Sequence, residues 1–134
     1  MDRARNLTML ISRVLVGAIF ILHGLIKATN LEASIDGFAT YGVPLPTVSV
    51  WFALLVEIIG GVAFIVGYAT PVVGVLFALV TVGALVFVHA ENGFFAGKNG
   101  IEYVLVLAVV SVGIGFNPGT IGVGLSKARD SVRS

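Results

Sequence analysis

The chain has 134 residues, of which 57% are hydrophobic and only 11% charged, and its mean hydropathy is +1.06. Because soluble domains carry about 25% charged residues, this composition excludes a water-soluble globular domain. The formal net charge of +1 gives no reason to expect a nucleic-acid partner, and the lack of cysteine excludes disulfides, thiolate metal ligands and dithiol redox chemistry within the chain.

Four apolar stretches approach the length of about 20 residues that a transmembrane helix needs. In chain order they cover residues 7–26, 47–66, 70–88 and 101–116. The fourth is the shortest and, at about 1.5 Å per residue, spans only roughly 24 Å. We therefore expect residues 1–134 to form a single all-α membrane domain, built as an antiparallel bundle of four transmembrane helices.

The first stretch resembles a signal peptide because Arg3 and Arg5 precede it. However, Arg13 interrupts its apolar run, and no small-x-small cleavage site follows. We expect an uncleaved first helix.

The links between the stretches contain further signals. In the first link, apolar residues recur at helical spacing over residues 31–38, which predicts a short interfacial helix between the first and second spans. In the second link, Gly67 ends one helix and Pro71 opens the next, as expected for a tight hairpin. The third link, residues 89–100, contains two phenylalanines. We interpret the aromatic residues near the outer surface as an interfacial belt, namely Tyr41, Trp51, Phe94, Phe95 and Tyr103.

The distribution of basic residues predicts the orientation. Most of them lie at the two ends of the chain, at Arg3, Arg5, Lys127, Arg129 and Arg133, whereas the links contain only Lys27 and Lys98. An even number of spans also places both termini on one side. We predict a multi-pass protein of the cytoplasmic membrane with both termini in the cytoplasm.

Six polar residues fall within or at the ends of the apolar stretches: Arg13, His23, Lys27, Glu57, His89 and Glu102. Charges inside a membrane are costly, so such residues usually face the protein interior, form pairs and mark function. On the first helix, steps of four and three residues place Arg13, Gly17, Phe20, Gly24 and Lys27 along one seam, with His23 near it. On the second, Ala53, Glu57, Gly60, Gly61 and Phe64 share a face.

The depths of these residues suggest a polar pocket opening outward, formed by His23, Lys27, His89 and Glu102 with Glu57 below. Simpler interpretations remain open. Arg13 either extends to cytoplasmic headgroups or pairs with Glu57. Lys27, His89 and Glu102 either belong to a site or are hydrated at the membrane surface.

With these residues laid out, the sequence resembles the DoxX family of small four-helix membrane proteins over nearly its whole length. The resemblance rests on residues 13–20 with 23–27, on Gly37-Phe38 and Tyr41–Pro44, on residues 57–61 and 67–71, and on His89, residues 100–102 and residues 113–115. It implies a four-helix protein of a prokaryotic cytoplasmic membrane. Some relatives are the membrane subunit of a thiosulfate:quinone oxidoreductase, and an actinobacterial relative is linked with superoxide dismutase and a sulfurtransferase in a redox-defence complex.

Our leading hypothesis is a membrane subunit of a redox assembly that binds a quinone. In it, Glu57 and Glu102 are the catalytic candidates, as proton relays, and His23, Lys27, His89 and Arg13 are the ligand-binding candidates. Lys27 would stabilise a reduced quinone or an anionic donor such as thiosulfate. No metal site is predicted, and bis-histidine haem through His23 and His89 is disfavoured because nothing local marks haem ligation.

Two other functions remain open. The first is a non-enzymatic membrane anchor or scaffold for a redox or stress-defence complex, in which the polar residues fix helix packing. The second is a small transporter or proton pathway along Glu57. The expected partners are the lipid bilayer and either another protein or a second copy of the chain.

Overall fold

The computed structural model describes residues 2–125, a range that contains helices and no strand. Five α-helices follow one another: α1 (Asp2–Thr29), α2 (Leu31–Thr40), α3 (Pro46–Val66), α4 (Thr70–Ala84) and α5 (Glu102–Phe116). A π-helical turn (Leu85–His89) and a 3-10 turn (Ala90–Asn92) extend α4 without a break, and a second 3-10 turn covers Ala96–Lys98. Lys127, Arg129 and Arg133, which support the predicted orientation, lie outside the described residues.

Three of these helical segments are long and apolar enough to cross a membrane: α1, α3 and the continuous segment Thr70–Asn92. The fourth apolar helix, α5, is shorter, as the sequence predicted. Their outward faces expose many large aliphatic side chains. Such surfaces need lipid rather than water around them. The chain is therefore an integral membrane protein whose helices contact the bilayer.

The sequence signals for the links are confirmed as local structure. The predicted short helix exists as α2 and continues two residues further than expected. Gly67 ends α3 with φ = +86°, a left-handed conformation that glycine adopts without strain, and its N–H donates to the carbonyls of Ala63 and Phe64. Pro71 lies in the first turn of α4, where a missing N–H costs nothing.

The core lies where α1 and α3 meet α4 and α5. Phe20 of α1 stacks on Phe77 of α4 with ring centroids 3.7 Å apart, and Phe64 of α3 meets the Phe77 ring edge-on at 5.2 Å. All three rings are buried. They join α1, α3 and α4, while Leu107 and Ile114 bring α5 into the same apolar cluster.

The predicted helix faces are confirmed by burial. On α1 the buried residues include Arg13, Gly17, Phe20 and Gly24, and on α3 they include Ala53, Glu57, Gly60, Gly61 and Phe64. Residues of the two faces meet in a defined register, because a Cβ added at Gly17 would contact the Gly61 carbonyl, whereas one added at Gly24 would contact Glu57. This register decides which polar residues can reach one another.

Candidate functional site

Lys27 of α1 and Glu57 of α3 form an ion pair between two apolar helices. The Lys27 ammonium donates to both carboxylate oxygens, at 3.1 Å to Oε1 and 3.0 Å to Oε2. Only 5% of the Glu57 side chain is exposed, against 19% of the Lys27 side chain. An isolated charge deep in a bilayer costs roughly 2.5–3.5 kcal/mol on insertion scales, so each group stabilises the other. Because the lysine is the more exposed partner, a ligand that approaches from outside meets Lys27 first.

Gly24 allows the two helices to approach closely enough for this pair. A Cβ at Gly24 would lie 3.0 Å from Glu57 Cβ and 3.2 Å from the Leu54 carbonyl oxygen, both closer than an ordinary contact. Gly24 directly follows His23 and precedes Lys27 by three residues. Sequence reasoning placed Gly24 on the seam of α1 but did not assign it to the site. The sequence did contain a signal for this role, because Gly24 is a small residue between the polar residues His23 and Lys27 of an apolar helix.

His23 lies at the edge of this pair. Its side chain is exposed, and its Nδ1 lies 2.8 Å from the Ile19 carbonyl oxygen one turn earlier. It directly precedes Gly24, which packs on Glu57, and it lies one helical turn before Lys27. His23, Lys27 and Glu57 therefore form one polar group, which we call the α1–α3 site. Of the six polar residues predicted from sequence, these three are the ones that the structure brings together.

Arg13 does not pair with Glu57, so that alternative from the sequence is wrong. The Arg13 side chain is completely buried. Its Nη1 donates to the Pro118 carbonyl at 2.9 Å and its Nη2 to the Ile65 carbonyl at 3.0 Å, while its Nε has no hydrogen-bond partner among the described residues. It does not extend to headgroups either. Arg13 instead joins the last turn of α3 to the chain that follows α5.

The helix register explains this outcome. Gly17 lies against Gly61 and Ile65. Arg13 is one helical turn closer than Gly17 to the start of α1. Glu57 is eight residues before Ile65, which corresponds to about 12 Å along α3. An arginine bonded to the Ile65 carbonyl is therefore too far away to reach Glu57.

His89 and Glu102 serve the third link rather than the α1–α3 site. His89 Nδ1 lies 2.8 Å from the Asn99 carbonyl oxygen, and the Glu102 carboxylate accepts a hydrogen bond from the Ala96 N–H at 2.9 Å. Main-chain bonds from Ile101 to Gly93 and from Glu102 to Phe94 close the same segment on itself. The single outward pocket predicted from depth is thus divided into two groups with separate hydrogen-bond partners.

The described surface offers no deep apolar cavity at the α1–α3 site. Two shallow open grooves lie elsewhere, one between α4 and α5 around Pro71 and Phe116 and the other along α3 around Ile59 and Tyr68. Neither groove contains a polar candidate residue. Within residues 2–125, no three histidine or carboxylate side chains converge as metal ligands. The α1–α3 site can therefore act through hydrogen bonding and charge at the helix surface.

Comparisons with known proteins identify relatives over most of the chain. The sequence model of the DoxX family matches residues 8–90. The chain is 35% identical over 114 residues to "Putative oxidoreductase CatD" of Bacillus subtilis (strain 168), which covers 85% of this chain and 83% of that relative. It is 30% identical over 103 residues to "Inner membrane protein YphA" of Escherichia coli (strain K12), covering 75% and 74% respectively. No solved structure gives a significant match. The family match includes every residue of the α1–α3 site and ends before Glu102.

Proposed function

This chain belongs to the DoxX family, and from that premise we propose that it is a membrane subunit of a redox assembly, with the α1–α3 site as the place where a quinone headgroup binds. We further propose that α1, α3, the segment Thr70–Asn92 and α5 form an antiparallel four-span bundle in the cytoplasmic membrane, with both termini in the cytoplasm. The name of the Bacillus relative, an oxidoreductase, and that of the Escherichia relative, an inner membrane protein, support this class of function and location.

The proposal rests on the partial exposure of the charged Lys27 side chain, which lies between the apolar helices α1 and α3. Partial exposure leaves the charged group of Lys27 open to a ligand as well as to its partner Glu57. Here Glu57 is enclosed, whereas Lys27 is partly exposed and lies one helical turn from the exposed ring of His23. The site therefore presents polar atoms to a ligand within the membrane.

The residues present fit a quinone headgroup. A bound quinone would supply carbonyl oxygens that take up electrons and protons on reduction. Lys27 has one N–H beyond the two directed at Glu57, and this N–H can bind such an oxygen. The exposed apolar side chains of Leu22 and Ile26 flank the site and provide a surface for an isoprenoid tail. Glu57 stabilises the charge on Lys27 and can exchange a proton with it.

A specific observation also favours the non-enzymatic alternative, a membrane anchor or scaffold. Arg13, His89 and Glu102 all bind main-chain groups of their own chain. Polar residues used in this way fix the packing of the chain itself. If the Lys27–Glu57 pair has the same role, the protein holds other proteins at the membrane without binding a small molecule.

The discriminating experiment is quantification of quinone in the gently solubilised native complex by mass spectrometry. The wild-type protein should retain about one quinone per chain. The double variant Lys27→Met with Glu57→Met removes the donor together with its charged partner and should lose quinone affinity by about tenfold, which corresponds to 1.4 kcal/mol. Glu32→Gln, on the exposed side of α2, is the matched control and should retain the wild-type quinone content. If the complex contains stoichiometric protein partners and no quinone, our proposal is wrong and the protein acts as a membrane anchor or scaffold.

A further inference from the structure

We propose that the α1–α3 site distinguishes the oxidation states of its ligand and prefers the hydroquinone to the quinone, because His23 and Lys27 together recognise a hydroxyl group. This inference rests on the proposed function, since it assumes that a quinone-type headgroup binds there. It concerns binding alone, and no bond is formed or broken. Its basis is the hydrogen-bonding capacity that each side chain has left over.

The hydrogen bond to Ile19 determines which nitrogen of His23 carries the proton. Nδ1 lies 2.8 Å from the Ile19 carbonyl oxygen, and a carbonyl oxygen can only accept a hydrogen bond. The hydrogen of a neutral His23 ring is therefore on Nδ1. Nε2 carries the lone pair and can only accept. We expected His23 to donate to a quinone carbonyl, and this tautomer reverses that expectation for the neutral ring.

Lys27 has the opposite capacity. Two of its three N–H groups are directed at the Glu57 oxygens, and within the described part of the chain the third has no partner. An ammonium has no lone pair, so this remaining group can only donate. The same face of α1 thus offers an acceptor at residue 23 and a donor one turn later at residue 27, a spacing at which side chains are neighbours.

A hydroxyl group matches this pair and a carbonyl does not. The oxygen of a hydroquinone donates its own hydrogen to His23 Nε2 and accepts the N–H of Lys27. A quinone carbonyl accepts from Lys27 but directs its lone pairs at the lone pair of Nε2, which leaves that nitrogen unsatisfied. Once the bound ligand has displaced water from Nε2, leaving this nitrogen unpaired costs about a factor of ten or more in affinity. The geometry therefore favours the reduced ligand.

The test compares three soluble probes on the full chain in lipid nanodiscs: a short-chain benzohydroquinone, the corresponding benzoquinone and the di-O-methyl ether of the hydroquinone. Dissociation constants are measured by calorimetry under nitrogen, with empty nanodiscs subtracted. We expect the hydroquinone to bind about tenfold more tightly than the other two, because only it has a hydrogen to donate to Nε2.

Variants assign the effect to His23. His23→Phe removes Nε2 and should weaken hydroquinone binding to the level of the quinone while leaving quinone binding unchanged. Leu15→Phe adds a ring at an exposed position of α1 two turns before His23 and should keep the wild-type ratio. If the wild-type protein binds quinone as tightly as hydroquinone, the inference is wrong while the proposed function stands. If none of the probes binds above the empty nanodiscs, the proposed function fails together with the inference.

Discussion

The contact between α4 and α5 gives a prediction whose size can be worked out from the structure. A Cβ placed on Gly74 would lie 2.5 Å from the Ser111 carbonyl oxygen, and one placed on Gly115 would lie 2.7 Å from the Thr70 carbonyl oxygen. Ordinary van der Waals contact begins at 3.4 Å. Because the opposing atoms belong to helix backbones, rotation of a side chain cannot relieve the overlap. Gly74→Ala therefore requires the two helices to separate by about 0.9 Å.

The free energy of unfolding should fall accordingly. Overpacking a tight interface typically costs about 1–3 kcal/mol, and a rigid backbone clash belongs in the upper half of that range. Replacing glycine by alanine inside a helix returns about 1 kcal/mol through helix propensity. We therefore expect Gly74→Ala to lower the free energy of unfolding by about 1–2 kcal/mol.

Reversible unfolding in mixed detergent micelles, followed by circular dichroism, measures this difference. Gly83→Ala is the matched control, because it lies on the same helix and a Cβ there meets no atom within 4 Å. It should be as stable as the wild-type protein or slightly more so. Equal stability of the Gly74 and Gly83 variants would show that α4 and α5 are not packed as closely as described.

Three further predictions concern the polar residues and the topology. Arg13→Gln should destabilise the fold by about 2–6 kcal/mol in the same unfolding assay, because two buried carbonyls lose their donors at about 1–3 kcal/mol each; an unchanged midpoint would contradict its role. Lys27→Met should be strongly destabilising, and adding Glu57→Met should recover part of the loss, since a buried charge without its partner costs more than an apolar pair; strictly additive losses would mean that the two do not interact. A single cysteine at Ser34 should react with an impermeant reagent from outside intact cells, whereas one at Ser134 should not, because the basic residues predict that the termini are cytoplasmic. The chain has no cysteine of its own, so only the introduced residue is labelled. The reverse pattern would invert the orientation.

Much of the fold could be predicted because lipid imposes strong patterns on a sequence. Hydrophobic length identified the helices, the Gly67–Pro71 punctuation identified the hairpin, and spacing identified the buried faces of α1 and α3. These features depend on residues close together in the chain. They follow from the cost of exposing a main-chain or charged group to lipid, which applies to each segment separately.

The partners of the polar residues could not be predicted in the same way. Sequence gives the spacing along each helix, but the offset between two helices is decided by how their small residues meet. Lys27 and Arg13 are about four turns apart on α1, so the offset between the helices decides which of them reaches Glu57. Main-chain carbonyls such as that of Pro118 carry no signal in the identity of the residue, so the partners of Arg13 were not foreseeable. Likewise, the tautomer of His23 depends on a carbonyl one turn away.

The burial of Arg13 has a consequence for how the protein is made. Its two carbonyl partners lie 52 and 105 residues later in the chain. At a synthesis rate of about 5–20 residues per second, α1 leaves the ribosome roughly 5–20 s before Pro118 exists. Until Ile65 has been made the guanidinium has neither partner, and until Pro118 has been made it has at most one. The phosphate groups on the side from which α1 enters are then the most favourable neighbours for it. Arg13 thus obtains its complete set of partners only after α5 has been made, and a chain that stops short of Pro118 lacks one of the two carbonyls that bind the guanidinium.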